Sequence, residues 1–539
     1  MGGLVDMITV APHGQKGESK MRSTRIDRRG VLRYIGLGAG LAVAAPILAA
    51  CGGAASPTAA PSSAGTTSGS APAAAATKPA AAATSAPAAG ATTAPAATTA
   101  PAAGGAATPA AAATTAPAAA PAPAAAPAVT VGKGDSQIVV WSGQIVSQDQ
   151  NAPVGKWATW IRNTFVEKNP KYTLKVEDHG WDQVLRTGLL TAIAGGTVPE
   201  VTTGEAFVHE FAALGAFVPI PDLTDKTFAY GPIAGSIYKG QIYGVPIYTS
   251  PFALETNVRT AKKAGLDPTK PPKTWDELVE NSTKAFNAGK SDGYVGFNLY
   301  GPAPNRIYGT VLRTIPWINQ TGKPLGDDDG TQAFFNAPEH VSVYEFSRKL
   351  FKTADPGNTF SGDEGKLYAY LWQDKAVYQA SAIWNVFNAR DAKAETVYHP
   401  LPRQKAEVSG NVTLGNAVFS PLAKSKNRDG AVAFVKFMAE PETQLQLGNL
   451  YGARLPTVAE VLKRPDLEKL PLYATAAEAV RTFADILLKE DVHPVPPYAK
   501  NPDKIWIAWG DMFGKILQNT DPVKPQLDQL QQEVERLLK

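Results

Sequence analysis

The chain has 539 residues, with 52 lysines and arginines against 48 aspartates and glutamates, and one cysteine. Seven basic and three acidic side chains lie in residues 1–50, so the rest of the chain carries 45 of each. A balanced body offers no standing cationic face for nucleic acid, and one cysteine excludes both a disulfide framework and a thiolate metal site.

Arg28-Arg29-Gly30-Val31-Leu32-Arg33 sets two arginines ahead of an uncharged stretch over residues 34–48. That stretch is too short to span a bilayer comfortably and suits the apolar region of a signal peptide. It ends in Leu48-Ala49-Ala50-Cys51. Twin arginine, apolar stretch and small-small-Cys, in that order, resemble a Tat-type lipoprotein signal, with Val31 where Phe is more usual. The resemblance implies a signal peptide over 1–50, an export signal at Arg28 and Arg29, and lipidation of Cys51 as the mature N-terminus. Met21 would serve as an alternative start, leaving a short basic segment before the arginine pair. Residues 52–136 are almost wholly Ala, Pro, Thr, Ser and Gly. Without large apolar side chains such a segment cannot offset its ordering entropy, so 51–136 is expected to be a disordered, Pro-extended tether whose composition permits O-glycans.

From Gln137 onward the charge density is that of an ordinary soluble domain, and the length suits two domains. Residues 137–141 read as a buried strand and 172–176 as a strand by alternation. Residues 156–168 form an amphipathic helix with Trp157, Trp160, Ile161 and Phe165 on one face, and 181–194 a helix stopped by Gly195-Gly196. Thr274 caps a helix that opens Trp275-Asp276-Glu277-Leu278, with acids in its first turn. Further amphipathic helices are expected over 428–439 and 526–538. Helix followed by strand recurs, which predicts an α/β protein with mostly parallel sheets.

Five stretches in this order carry a resemblance. They are Phe165-Val-Glu-Lys-Asn-Pro170 with Trp181-Asp182 and 190–199; residues 211–223; Lys239-Gly-Gln-Ile-Tyr-Gly-Val-Pro246 with Ala264-Gly-Leu-Asp-Pro268 and 273–278; Phe335-Asn-Ala-Pro-Glu339; and 431–438 with Leu455-Pro456-Thr457. Together they resemble the extracellular solute-binding proteins of ABC importers, in particular the sugar-binding, maltose-binding-protein-like group (family 1). The chain departs from that pattern at Leu254-Glu-Thr-Asn-Val258, where a Tyr/Asn-rich strand is usual, and at Ile383, where a glycine usually precedes the sugar-stacking Trp. The resemblance implies a two-lobe periplasmic-binding-protein-like (type II) α/β fold with a hinge and an interlobe cleft. Lobe I is expected over 137–250 and 415–452, and lobe II over 251–414 and 453–539, with crossings near 248–254, 414–420 and 451–456. It further implies a monomeric, lipid-anchored protein outside the cytoplasmic membrane that passes a carbohydrate to the transmembrane subunits of an ABC permease. No cofactor is implied.

Sugars present flat C–H faces ringed by hydroxyls, so their sites combine aromatic platforms with polar and charged side chains. Helical spacing makes Trp157, Trp160 and Trp275 structural. The resemblance puts Trp384 on the cleft as a stacking platform, and Trp506, or Trp509 in its place, as a second aromatic. Open α/β sheets bind ligands at the carboxyl ends of their strands. That rule selects Ser142 and Gln144 after the first strand and Glu205 after Thr202-Thr203-Gly204. Asn416 at the second crossing, Tyr300 in Phe297-Asn-Leu-Tyr-Gly301, and Arg454 before Leu455-Pro456 complete the ligand-binding set.

Against an enzyme, the six histidines are scattered without metal-ligand spacing, and neither a nucleophile elbow nor a phosphate-binding loop occurs. Asp327-Asp328-Asp329-Gly330 lacks the spacing of a calcium loop and reads as a solvated turn. The readings left open are a secreted, lipid-anchored carbohydrate-active enzyme, whose two carboxylates would face each other across a cleft, and a binding protein for a non-sugar ligand or one serving a sensor.

Overall fold

The computed structural model describes residues 127–539, apart from 205–206, 304–305, 406, 413 and 416. Arg28, Arg29, Cys51, Glu205 and Asn416 therefore lie outside the described residues. The first sheet begins with β1 (Val129–Val131), β2 (Ser136–Trp141), β3 (Tyr172–Glu177) and β4 (Val201–Gly204), and continues with β5 (Val245–Pro246). The chain then passes through a short hinge strand, β6 (Thr249–Ser250), into a second sheet of β7 (Ala253–Asn257), β8 (Val295–Phe297), β9 (Ala376–Ser381) and β10 (Thr396–Pro400). It returns through β11 (Leu414–Gly415) to place β12 (Val418–Pro421) back in the first sheet.

The strand orders are β1-β3-β2-β4-β12-β5 and β8-β9-β7-β10. β2 runs parallel to β3 and β4, and β8 parallel to β9, whereas β1, β12, β7 and β10 pair antiparallel with their neighbours. The sheets are thus mixed rather than mostly parallel. β7 and β12 both arrive from the opposite lobe, so each enters its sheet against the local direction.

The two hinge strands pair with each other, Leu414 opposite Ser250 and Gly415 opposite Thr249. Thr249 also exchanges backbone hydrogen bonds with Leu455, at 2.9 and 3.0 Å. Three crossings therefore lie side by side. Gly452, at φ +82°, turns the chain into the third, a conformation that strains any residue with a Cβ.

Two limits expected from the sequence move. Val129–Val131 pairs with β3, in the register Val129 to Val176, so ordered chain begins before residue 136. Apolar Val129 lies in the first core, which the Ala/Pro composition around it masked. Val458 and Val461 also pack in the first core, beyond the limit set at 453, while Leu455 and Leu462 lie in a separate cluster with Ala253 of β7 and Tyr398 of β10.

Lobe I is built on α1 (Pro153–Lys168), α2 (Asp182–Gly195) and α3 (Val208–Ala213). Trp157, Ile161 and Phe165 of α1 enter its core, where Phe165 meets Phe434 edge-on at 5.1 Å. In lobe II, α4 (Trp275–Gly289) opens as its sequence dictates: Thr274 Oγ1 accepts from the Glu277 N–H and Glu277 Oε2 from the Lys273 N–H. Trp275 stacks on Phe346 at 4.6 Å and donates its indole N–H to Gln320 Oε1 at 2.7 Å. The helices that face the cleft are α5 (Ile307–Asn319), α6 (Glu364–Trp372) and α7 (Ile383–Asp391). Two long C-terminal helices, α8 (Pro502–Gln518) and α9 (Val523–Leu538), close lobe II over its core. Among the described residues no helix is long and apolar enough to cross a membrane.

Candidate functional site

The carboxyl ends of β2 and β4 in lobe I, and of β8 and β9 in lobe II, all point toward the hinge. There a cavity of about 290 Å³ is lined by side chains of both lobes and of the crossings themselves. Lobe I contributes Gln144, past the end of β2, and Trp181, the residue that precedes α2. The hinge contributes Tyr248, Thr249, Ser250 and Arg454. Lobe II contributes Tyr308, Leu312 and Arg313 of α5, Glu364 and Tyr368 of α6, and Trp384 of α7.

Trp384 stands in the first turn of α7 and is half-buried. Ser250 Oγ accepts from the Ile383 N–H at 3.0 Å, tying the start of this helix to the hinge, and Phe252 buttresses the Trp384 ring edge-on at 6.3 Å. The Arg454 guanidinium lies over three rings: Trp384 and Tyr248 at 4.9 Å each and Tyr451 at 5.7 Å. Stacking of this kind contributes about 0.5–2 kcal/mol per ring. The Tyr451 hydroxyl also donates to Gln144 Oε1 at 3.0 Å, fixing that amide at the cavity edge.

The opposite wall is organised around Arg313, a single cation in the apolar run Val311-Leu-Arg-Thr-Ile315 of α5 and 4% exposed. It stacks 3.8 Å above the Tyr300 ring, lies 5.1 Å from the Tyr368 ring, donates Nη1 to the Gly309 carbonyl and faces Glu364 Oε1 at 3.6 Å. The Tyr368 hydroxyl donates to the same Glu364 oxygen, and burial pushes that phenol up to about 12. Arg313 Nε and Nη2 make no hydrogen bond among the described residues. The wall is a charged, ring-backed surface with donors and one carboxylate.

Of the residues selected from sequence, Trp384, Gln144 and Arg454 meet at this cavity. Tyr300 does not line it: the ring is 3% exposed and supports Arg313 from behind. Ser142 is likewise buried beneath the loop, its backbone N–H bonded to the Glu177 carbonyl. Trp506 is a correction. It is 0% exposed in the lobe II core, packed against Phe335, Tyr498 and Trp509, because α8 turns its apolar face inward. Trp509 is buried too, donating to the Tyr344 hydroxyl. The sequence reading missed Tyr308, Arg313, Glu364 and Tyr368. Their signal was present: Leu312 and Tyr308, and Tyr368 and Glu364, lie four residues apart on helices, and a lone Arg within an apolar helix must find compensation. The acidic turn at 327–330 is a turn, with Asp327 accepting from the N–H groups of Thr331 and Gln332. Among the described residues no three His, Cys, Asp or Glu side chains converge to hold a metal ion.

Two lobes, three crossings and a lined cavity at the hinge define a two-lobe binding protein of type II. The description of bacterial extracellular solute-binding proteins matches residues 160–475, more than half of the chain, and the chain belongs to that family. The maltotriose-binding protein of Pyrococcus abyssi is 25% identical over 346 residues, which cover 62% of this chain and 68% of that protein. The sn-glycerol-3-phosphate-binding periplasmic protein UgpB of Salmonella typhimurium is 26% identical over 310 residues, 54% of this chain and 68% of its own. The crystal structure of the cyclic alpha-maltosyl-1,6-maltose binding protein from Arthrobacter globiformis matches with a TM-score of 0.63 at 20% identity, over 75% of this chain and 100% of that one. At that identity the likeness is one of fold.

Proposed function

We propose that this protein is the substrate-binding component of an ABC importer, capturing a carbohydrate between its lobes and handing it unchanged to a membrane permease. The observation that carries the reading is the lining: Trp384, Trp181 and tyrosines 248, 308 and 368 supply flat faces, while Gln144, Arg313, Glu364 and Arg454 supply hydrogen-bonding groups around them. At about 290 Å³ the cavity stands at the small end of ligand sites, which favours a ligand of one to a few sugar rings. Binding rather than hydrolysis is supported by the family, whose members and relatives are described as binding proteins. Closure follows if the ligand touches both walls and so binds the closed state better.

The same reading includes the N-terminal segment: export by the arginine pair, a lipid on Cys51, and the Ala/Pro/Thr-rich stretch as a tether for a monomeric body. Metabolic labelling with a radioactive or alkynyl fatty acid tests the anchor, with label expected in the wild type and absent from Cys51→Ala. Calorimetric titration with mono-, di- and trisaccharides tests the ligand class. A second reading is favoured by charge. Two guanidinium groups and one carboxylate line the cavity, which suits a phosphorylated polyol such as the ligand named for the Salmonella typhimurium relative. sn-Glycerol 3-phosphate therefore belongs in the same titration panel.

A further inference from the structure

At the rim of the cleft a polar contact joins the lobes without lining the cavity. Gln183 and Arg186 lie three residues apart on α2 and so share a face, while Leu185 and Leu189 of the same helix pack into lobe I. Across the cleft, Asp503 occupies the first turn of α8, whose Ile505, Trp506 and Trp509 lie in the lobe II core. Gln183 Nε2 donates to Asp503 Oδ2 at 3.0 Å, and Arg186 Nη1 stands 3.4 Å from the same oxygen.

Arg186 is held for this contact from its own side. It donates Nε and Nη2 to the two oxygens of Glu210 on α3, at 2.7 and 2.5 Å. This bidentate grip fixes the guanidinium plane and leaves Nη1 to reach the other lobe. The side chains of Arg186, Glu210 and Asp503 are 11, 9 and 16% exposed and Gln183 is exposed, so the cluster is partly withdrawn from water while its rim stays open to screening ions. Burial opposes the charge on Arg186, but the hydrogen bonds and charge of Glu210, with the charge of Asp503, more than restore it. Burial holds the Glu210 carboxyl above its usual range against the pull of Arg186. The first turn of α8 favours an anion at Asp503. The contact adjoins the cavity, because Trp181, which lines it, directly precedes α2.

We propose that Asp503, gripped by Gln183 and Arg186, is an interlobe latch that sets how long ligand is retained. These are positioning residues: they touch the opposite lobe, not the ligand. The proposal rests on the binding reading above. Ligand leaves after the lobes part, so a contact made only in the closed form raises affinity mainly by slowing release. Glu210 tunes the latch by orienting Arg186.

The test uses the full-length protein, stopped-flow tryptophan fluorescence with whichever saccharide titrates, and small-angle X-ray scattering without ligand. Asp503→Asn is expected to raise the release rate about tenfold while the association rate stays within about twofold. Gln183→Ala, an exposed position whose loss leaves the fold intact, is expected to raise release about threefold. In the wild type, release should quicken from 50 to 500 mM NaCl, and in Asp503→Asn this salt dependence should vanish, a readout that a merely structural role would not move. Unliganded Asp503→Asn should also show a larger radius of gyration. Unchanged release, salt dependence and radius in both variants would overturn the latch. If no saccharide binds but the radius grows on substitution, the ligand reading fails and the latch stands.

Discussion

The two walls of the cleft are made differently. Lobe I contributes Gln144, in the loop after β2, and Trp181, at the start of α2, whereas lobe II contributes seven residues from the turns of α5, α6 and α7. The lobe II wall is also cross-tied: Arg313 stacks on Tyr300, faces Glu364, and Glu364 accepts from Tyr368. Rigid, pre-paired side chains hold their geometry before ligand arrives, so they lose little entropy on binding. The sparse wall can then serve to close and report. On this division, substitutions in lobe II should govern affinity and those in lobe I the closing step.

The largest expected effect separates wall from core within lobe II itself. Trp506→Ala should cost about 3–5 kcal/mol of stability in urea unfolding, because it empties a fully buried indole site. Ligand affinity of the folded fraction should be unchanged; a large affinity loss would return Trp506 to the site. The next effect lies behind the lobe I wall. His209 is 0% exposed on α3, edge-on to Tyr238 at 5.5 Å, and neither ring nitrogen is hydrogen-bonded among the described residues. Burial pulls its imidazole down to about 4, against the weaker opposing influence of Ile237, Asp329 and Asp328. The native state therefore binds this proton less readily than the unfolded chain. Stability is full above about pH 6.5 and falls as pH drops toward 4, by up to about 3 kcal/mol. Urea midpoints at pH 7 and pH 4.5 should differ less in His209→Leu than in the wild type.

Trp384→Ala should weaken ligand binding about 100-fold, roughly 2.7 kcal/mol, with little change in melting temperature, since the ring is half-buried at a helix start. Gln144→Ala, on the other wall, should cost only about fivefold, near 1 kcal/mol, for one hydrogen-bonding side chain. Calorimetry on both variants ranks the walls directly. An equal loss at the two positions would erase the difference between them.

What could be read from sequence follows the same division. Strand ends mark binding loops through topology alone, which is how Gln144 was found. Trp384 and Arg454 came through the resemblance at the segments around them. The paired helix faces of lobe II were missed because each residue looks ordinary in its own helix. Arg313 and Glu364 acquire their chemistry only when α5 and α6 pack side by side, a long-range fact. Trp506 failed for the converse reason: the two tryptophans of α8 can face either core or cleft, and the partner Phe335 that decides lies far away in sequence. The mixed sheets had the same origin, since strand direction in β7 and β12 is set by hinge crossings that local pattern does not reveal.

The central claim, a carbohydrate held against the ring-backed wall of lobe II, is tested most directly by one titration. The full-length protein and its Trp384→Ala variant are titrated calorimetrically against mono-, di- and trisaccharides, with sn-glycerol 3-phosphate and an amino-acid mixture as comparisons. Saturable one-site binding of at least one saccharide, weakened about 100-fold in Trp384→Ala, is the expected result. Heat from a non-sugar ligand alone, or saccharide binding that is indifferent to Trp384, would contradict it.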